Sequence, residues 1–202
     1  MIASPEAISL PQPRRDSNVS VEHALLLRRT VRDFRKTPVA LTDLSQILWA
    51  AQGITHPEGY RTAPSAGALY PLELYVVAGS VSGLKAGFYQ YSPGQHQLIG
   101  LASEDLRARL ADAALSQSWI ADSAFVLVFA AMADRTTDKY GQRAMRYIHL
   151  EVGHAAQNVL LQAVALNLGS AEVGAFGDED VHTLLRLPED QQVLYLIPVG
   201  KP

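Results

Sequence analysis

The sequence contains no cysteine, which excludes disulfides, thiolate zinc sites, cysteine-ligated iron–sulfur clusters and a cysteine nucleophile. Six histidines are left for metal or acid–base chemistry. Charge of one sign is also scarce: 17 Lys and Arg stand against 20 Asp and Glu, a formal charge of −3 over 202 residues. A dedicated nucleic-acid binder needs a clustered basic surface for counterion release, so basic residues have to be read locally. No uninterrupted apolar run approaches the roughly 20 residues of a membrane span. Residues 1–15 hold three prolines and become basic only at Arg14 and Arg15, the reverse of a signal peptide's order. The expectation is a cytoplasmic protein with neither membrane nor nucleic acid as partner. There is no G-x-G-x-x-G after a strand and no G-x4-G-K-[ST], so neither dinucleotide fingerprint nor P-loop is present. A-P-S-A-G at residues 63–67 lacks the leading glycine of a nucleophile elbow, which argues against a serine hydrolase.

What is present fits one globular domain. A chain of this length can bury roughly 70% of the surface it exposes when unfolded, and 48% of it is hydrophobic. Pro5, Pro11 and Pro13 interrupt residues 4–20, which therefore read as an arm rather than an element; residues 1–17 form an extended arm and 18–202 a single domain. Ser20 reads as an N-cap for a helix with Val21, Leu25 and Leu26 on one face. A second helix opens at Thr42-Asp43, carries Leu44, Ile47, Leu48 and Ala51 as its stripe and ends at Gly53. Two helices are thus expected before any strand. Residues 55–71 are a loop leading into a strand over 72–77, and residues 88–91 and 97–101 form a hairpin. Ser103-Glu104-Asp105 starts a helix, and residues 125–131 are a buried strand. The longest helix spans about 142–168 and is apolar nearly all round beyond Ala155, so a subunit interface is expected to surround it. A strand over 193–199 is interrupted by Pro198, near an edge or strand end. The irregular mixture points to α+β.

Four arginines crowd into R-R-T-V-R-D-F-R at residues 28–35. They can offset the C-terminal dipole of the first helix. They can also form an anion cradle: with Arg28 and Arg32 one helical turn apart and Thr30 adding a hydroxyl, the guanidinium forks match a phosphomonoester. Small residues at Pro64-Ser65-Ala66-Gly67 allow close backbone approach, as does the glycine-rich G-S-A-E-V-G-A-F-G at 169–177. Glu151-x-x-His154 has the spacing of a di-iron ligand pair, but no second copy exists. His149, Glu151 and His154 are expected to be polar groups satisfied within or between subunits, and no metal is expected.

R-R-T-V-R-D-F, then A-P-S-A-G-A-L-Y-P with Glu73, then Y-I-H-L-E-V-G-H-A-A-Q-N at 147–158, resembles the FMN-dependent nitroreductase family, closest to its SagB-type branch of azoline-oxidising dehydrogenases. The motifs occur in family order over residues 10–202. The resemblance implies an antiparallel sheet flanked by helices in an intertwined homodimer. It implies FMN, with its phosphate on Arg28, Arg29, Thr30 and Arg32, joined by Lys201. Pro64, Ser65, Ala66 and Gly67 would lie against the flavin, and Val173, Gly174 and Ala175 would present backbone N–H groups to N5 and O4. Lys139 and Tyr140 match the branch's catalytic pair, base and positioning group; a lysine serves as base at neutral pH only if burial or a neighbouring cation lowers its pKa. NAD(P)H as transient donor and a small-molecule or peptide substrate complete the expectation. The alternatives are an NAD(P)H-dependent reductase of nitroaromatics or quinones, and a flavin-binding partner subunit of a peptide-modifying complex.

Overall fold

The computed structural model describes residues 7–202, so the first six residues of the expected arm lie outside the described residues. In chain order the strands are β1 (Ala7–Ser9), β2 (Val39–Ala40), β3 (Leu72–Ala78), β4 (Val81–Ser82), β5 (Gly87–Ser92), β6 (Gln97–Ala102), β7 (Phe125–Met132), β8 (Gly169–Ser170) and β9 (Gln191–Gly200). The helices are α1 (Val21–Leu27), α2 (Leu41–Gln52), α3 (Arg107–Ala113), α4 (Asp134–Tyr140), α5 (Ala144–Ala165) and α6 (Asp178–Leu185). Seven strands form one sheet in the order β1-β6-β5-β3-β7-β9-β8. Its pairings are antiparallel, and the molecule is α+β as expected.

Two cores sandwich this sheet. Side chains alternate along a strand, and in β7 Phe125, Leu127, Phe129 and Ala131 enter one core while Val126, Val128 and Ala130 enter the other. Because both faces are covered, the strand reads as a continuous apolar run. The first core takes Leu44, Ile47 and Leu48 from α2 and Ile148, Val152 and Val159 from α5. The second takes Leu110 from α3 and Val181 and Leu185 from α6. The stripe expected on α2 is the one buried, and Gly53 caps that helix. Ser20 Oγ accepts the His23 N–H at 3.1 Å, the cap expected for α1.

Several boundaries differ from the sequence reading. Ala7–Ser9 is not featureless arm: it pairs with β6 in the register Ala7↔Ile99 to Ser9↔Gln97, because the outer edge of a hairpin offers free backbone groups. With β2 it places strands before both helices. The helix expected from Ser103 begins at Arg107, where Asp105 Oδ1 accepts the Arg107 N–H at 3.1 Å. The long helix is shorter at both ends; Asn167 turns left-handed at φ 54° and Leu168 N–H returns to Ala163 O.

Much of the covering of α5 comes from this chain itself. Val159 and Ala163 are fully buried and Leu160 nearly so within the single chain. The inward face of the apolar half of α5 is covered by α2 and the sheet, whereas Leu161, Val164 and Ala165 stay partly exposed. A charge at Val159 meets core with no solvent or counter-charge to receive it. Val159→Asp is therefore expected to yield an unfolded chain by circular dichroism, and a folded monomer by sedimentation would contradict that burial.

The residues before α1 are pinned to α2 and the β5–β6 hairpin through His96. Its Nδ1 lies 2.8 Å from Tyr91 Oη, and its Nε2 lies 2.8 Å from Ser45 Oγ and 3.0 Å from Pro11 O. Burial lowers the His96 pKa, partly offset by the Pro11 carbonyl. The folded state therefore favours the neutral ring, so this contribution is complete above the ordinary histidine value of about 6.5 and is lost as pH falls through the lower folded value. His96 sits at φ 47°, a conformation asparagine tolerates. His96→Asn should flatten that portion of the stability-versus-pH curve in chemical unfolding, and an unchanged curve would remove His96 as its source.

Candidate functional site

The residues singled out in the sequence gather into two groups. The first surrounds the arginine cluster. α1 stops at Leu27, with Arg28 as its C-cap at ψ 123°, so Arg28 and Arg32 are not one helical turn apart. Instead Val31 N–H donates to Ser170 O at 2.9 Å and Thr30 bridges to Ser170 in parallel. In that extended run Val31 fills the space that a Cβ at Gly169 would need, 2.7 Å away. Thr30 Oγ1 donates to Glu172 Oε2 at 3.0 Å, and Arg28 Nη1 lies 3.5 Å from Glu172 Oε1. Arg29 Nη1 donates to the carbonyls of Leu26 and Arg28 at 3.1 and 2.7 Å. The Arg32 guanidinium lies over the Trp119 ring, 5.5 Å from its centroid.

The glycine-rich run at 169–177 joins this group. Val173 exchanges backbone hydrogen bonds with Leu196 at 2.9 and 3.0 Å, and Gln117 Nε2 donates to Ala175 O at 2.9 Å. Gly174 and Ala175 are exposed, and among the described residues no hydrogen bond takes up their N–H groups. Gly174, Ala175, Arg29 and Arg32 are all exposed, and free backbone donors and guanidinium groups are a composition that suits an anion. Lys201 reaches the group by its backbone alone: its carbonyl accepts Arg35 N–H at 2.9 Å, whereas its Nζ lies 3.9 Å from Asp43 Oδ2. Sequence reasoning missed Glu172 and Trp119. The acidic residue inside a glycine-rich run was the signal available for the first; a lone tryptophan in a short turn gave none for the second.

The second group is built on residues 61–70. Gly67, Ala68 and Tyr70 adopt positive φ of 65°, 54° and 47°, a concentration of costly backbone that persists only where surroundings enforce it. Anchors are visible: Thr62 N–H donates to Gly53 O at 2.9 Å, Asn158 Nδ2 to Thr62 O at 3.2 Å, and Tyr70 N–H to Ser65 Oγ at 2.9 Å. Gly67 is required twice over, by its φ and by its neighbours. A Cβ there would stand 2.9 Å from both Lys139 Nζ and Tyr140 Oη. The pair expected to act together thus ends on the loop expected to lie beside it. Lys139 is exposed at the last turn of α4, and Tyr140 packs edge-on against Tyr147 of α5 at 4.8 Å. Arg135, also on α4, donates to Tyr70 O at 3.0 Å and Glu73 Oε1 at 2.7 Å.

Beneath the loop lie groups not foreseen. Arg61 Nη1 donates to Gln52 Oε1 at 2.8 Å, and its guanidinium sits 4.4 Å from the Tyr70 ring centroid. Burial lowers its pKa, and the charges of Glu73, Tyr70 and Glu151 push the other way. Glu151, expected to be a satisfied polar group, is 2% exposed with Oε1 unpartnered. His149 and His154 are exposed instead, and no cluster of metal-ligating side chains occurs among the described residues. No hydrogen bond or ion pair among the described residues joins the first group to the second.

Comparison with known proteins agrees with this architecture. Residues 25–201 match the model of the nitroreductase family. MJ1384 of Methanocaldococcus jannaschii, which carries a provisional nitroreductase name, is 45% identical over 183 residues, covering 91% of each chain. The trifolitoxin-processing protein TfxB of Rhizobium leguminosarum bv. trifolii is 31% identical over 132 residues, 63% of this chain and 35% of that one. Among solved structures, a nitroreductase-like protein of Anabaena variabilis superposes with a TM-score of 0.85 at 28% identity, over 98% of this chain and 42% of that one. The Escherichia coli microcin synthetase McbBCD complex, with truncated pro-MccB17 bound, superposes with 0.74 at 22% identity over 95% of this chain and 76% of that one, a likeness of fold alone. Over nearly its whole length, then, this chain is a member of the nitroreductase family.

Proposed function

We propose that the chain is an FMN-dependent oxidoreductase of the SagB type, acting as a homodimer on an azoline-bearing peptide or related small molecule. The observation that carries this reading is the meeting of Lys139 Nζ and Tyr140 Oη at Gly67, because it puts an amine and a hydroxyl against the loop expected to face the flavin, where a bound ring and substrate would bury the amine and so favour its action as a base. The name of TfxB, a processing protein, supports the same branch. The residues present fit FMN. Arg28, Arg29, Thr30 and Arg32 would hold its phosphate, and the unpartnered N–H groups of Gly174 and Ala175 would face the ring. Val173 fixes that loop to β9, Pro64, Ser65, Ala66 and Gly67 would cover the other part of the ring, and Lys201 would contribute only long-range charge. Glu172 already engages Arg28 and Thr30, so the phosphate must displace that carboxylate.

When bound, FMN supplies a two-electron hydride acceptor. Dehydrogenation also releases a proton, which Lys139 would take from the substrate carbon while Tyr140 orients the reacting ring. The glycine at position 67 leaves both side chains room to reach the loop. Donor N–H groups at 174 and 175 would favour negative charge developing on the ring. Four exposed apolar residues of α1 (Val21 66%, Leu25 54%, Leu26 67% and Leu27 51%) support a second copy as partner. A cleft of about 480 Å³ between residues 14–21, α2 and α5 adjoins them.

Two tests separate this reading from its rivals. Removing the Arg32 guanidinium takes away a charge-assisted contact worth roughly 1.5–3 kcal/mol, so Arg32→Ala should weaken FMN binding at least about tenfold in fluorescence titration. Unchanged affinity would reject the cradle. Lys139→Ala and Tyr140→Phe should abolish azoline dehydrogenation while leaving the flavin spectrum intact. If both variants still consume NAD(P)H with quinones as fast as the parent, and no azoline is oxidised by either, the chain is a quinone or nitroaromatic reductase. A yellow protein inert in both assays until a second protein is added would be a partner subunit.

A further inference from the structure

Burying a carboxyl without a partner is costly, and protein interiors keep such groups only where something compensates. Glu151 comes close to such a group: it is 2% exposed, its Oε1 makes no hydrogen bond, and the Ser65 hydroxyl is the side-chain hydrogen-bond partner that its carboxyl has. Ser65 and the Arg61 guanidinium are the groups that favour its ionised form. Arg61 is already shared, since its guanidinium donates to Gln52, lies on the Tyr70 ring and also feels Glu73. Glu73 is itself paired with Arg135. From α4 the nearest chemistry is Lys139 and Tyr140, which end at Gly67, two residues beyond Ser65; on α5, Tyr147 turns to Tyr140 and His154 is exposed. The balance is won by burial, which pushes the Glu151 carboxyl up to about 7.

Ser65 is the element that can read this proton. A serine hydroxyl has one donor and two acceptor positions. One acceptor position is taken by Tyr70 N–H at 2.9 Å, which leaves one lone pair and the proton. An ionised Glu151 can only accept, so it draws the Ser65 O–H inward. A neutral Glu151 can donate to the free lone pair, which turns the Ser65 O–H outward. The proton lost on ionisation passes to bulk water, and no bond other than O–H is made or broken.

We propose that Glu151 is a positioning residue for the loop at 64–67: the proton it holds beneath the loop decides whether the Ser65 hydroxyl points into the helix or outward to whatever is bound there. What the outward hydroxyl meets rests on the flavin reading above; the switch itself does not. Its place is the turn that Lys139 and Tyr140 touch, so it would change the donor pattern of the loop without altering either of those side chains.

The test uses the whole chain, first without cofactor. Infrared difference spectra between about pH 5 and about pH 9 should show a protonated-carboxyl band that disappears as pH rises, absent in Glu151→Gln. The amide resonance of Tyr70, whose N–H reports on Ser65 Oγ, should titrate with the same midpoint in the parent and stay flat in Glu151→Gln. Ser65→Ala keeps the carboxyl band but should uncouple the Tyr70 resonance from it, which serves if the Gln variant fails to fold. FMN titrated across the same range should bind with a step in affinity at that midpoint, lost in both variants. A Tyr70 resonance that still titrates in either variant, or no carboxyl band in the parent at the acid end, overturns the switch. Failure of the parent to bind FMN at any pH overturns the flavin reading instead, leaving the infrared and amide results to decide the switch alone.

Discussion

Pairing β7 with β3 on one side and β9 on the other saturates the backbone of the most apolar segments of the chain and leaves both faces to be covered by side chains. Neither face can meet water: Val126, Leu127, Val128 and Phe129 are all fully buried. Helices must therefore lie on both sides, and α5, the longest, takes the face lined by Phe125, Leu127 and Phe129. Once α5 is fixed there, its polar residues have few places to go. Glu151 ends beneath the loop at 64–67, Asn158 holds Thr62 O, and Gln162 Oε1 accepts from Gln46 Nε2 at 3.2 Å. The chemistry-bearing loop is thus seated by the same helix that closes the core.

That seating explains why so strained a turn survives. Three positive φ values in four residues are unfavourable in isolation. Here the strain is offset by anchors from four directions: α2 through Gly53 O, α5 through Asn158, α4 through Arg135 on Tyr70 O, and Ser65 Oγ on Tyr70 N–H. The cost is a buried polar layer of Gln52, Arg61 and Glu151 under the loop, in which Gln52 Nε2 and Glu151 Oε1 remain unpartnered. Such a layer contributes less to stability than apolar packing of the same volume. It is the kind of place where titration is displaced from ordinary values, and Glu151 and Arg61 both show that displacement.

Much of this was legible from periodicity, because the signals are local. The α2 stripe, the hairpin of β5 and β6, and the β3 and β7 strands depend on spacing within about ten residues, and their residues lie in the elements expected of them. The arginine cluster and the glycine loops were visible as composition. What stayed hidden is long-range. β1 is a strand only because β6 offers it an edge some ninety residues away in sequence. The arginines were assigned to a helix that ends at Leu27, because pairing of Thr30 with Ser170 cannot be read from either segment alone. Glu172, Trp119 and the burial of Glu151 are likewise facts of tertiary placement. The apolar second half of α5 divides: this chain supplies the surroundings of Val159 and leaves Leu161, Val164 and Ala165 partly exposed, a division that helical periodicity alone does not assign.

The same helix sets a distance that a single chain cannot remove. The loop group hangs on its first half, with Tyr147 against Tyr140 and Glu151 below Ser65, whereas the arginine group hangs on β8, just past its C-terminus, where Ser170 O receives Val31 N–H. From Glu151 to Ala165 a straight helix rises roughly 20 Å at 1.5 Å per residue. Side chains cannot close that gap, and no hydrogen bond or ion pair among the described residues does. A helix packed into the core at Ile148, Val152, Val159 and Ala163 is not free to bend and bring its ends together. Within one chain, a ligand that meets both the arginine cradle and the Lys139–Tyr140 pair would have to span that length itself; a second copy that brings one group to the other is the arrangement the proposal favours. The exposed leucines of α1 lie directly before Arg28, so burying them against that copy would place its surface beside the cradle. The proposed homodimer thus draws its support from the separation of the two groups along α5 and from the apolar face of α1.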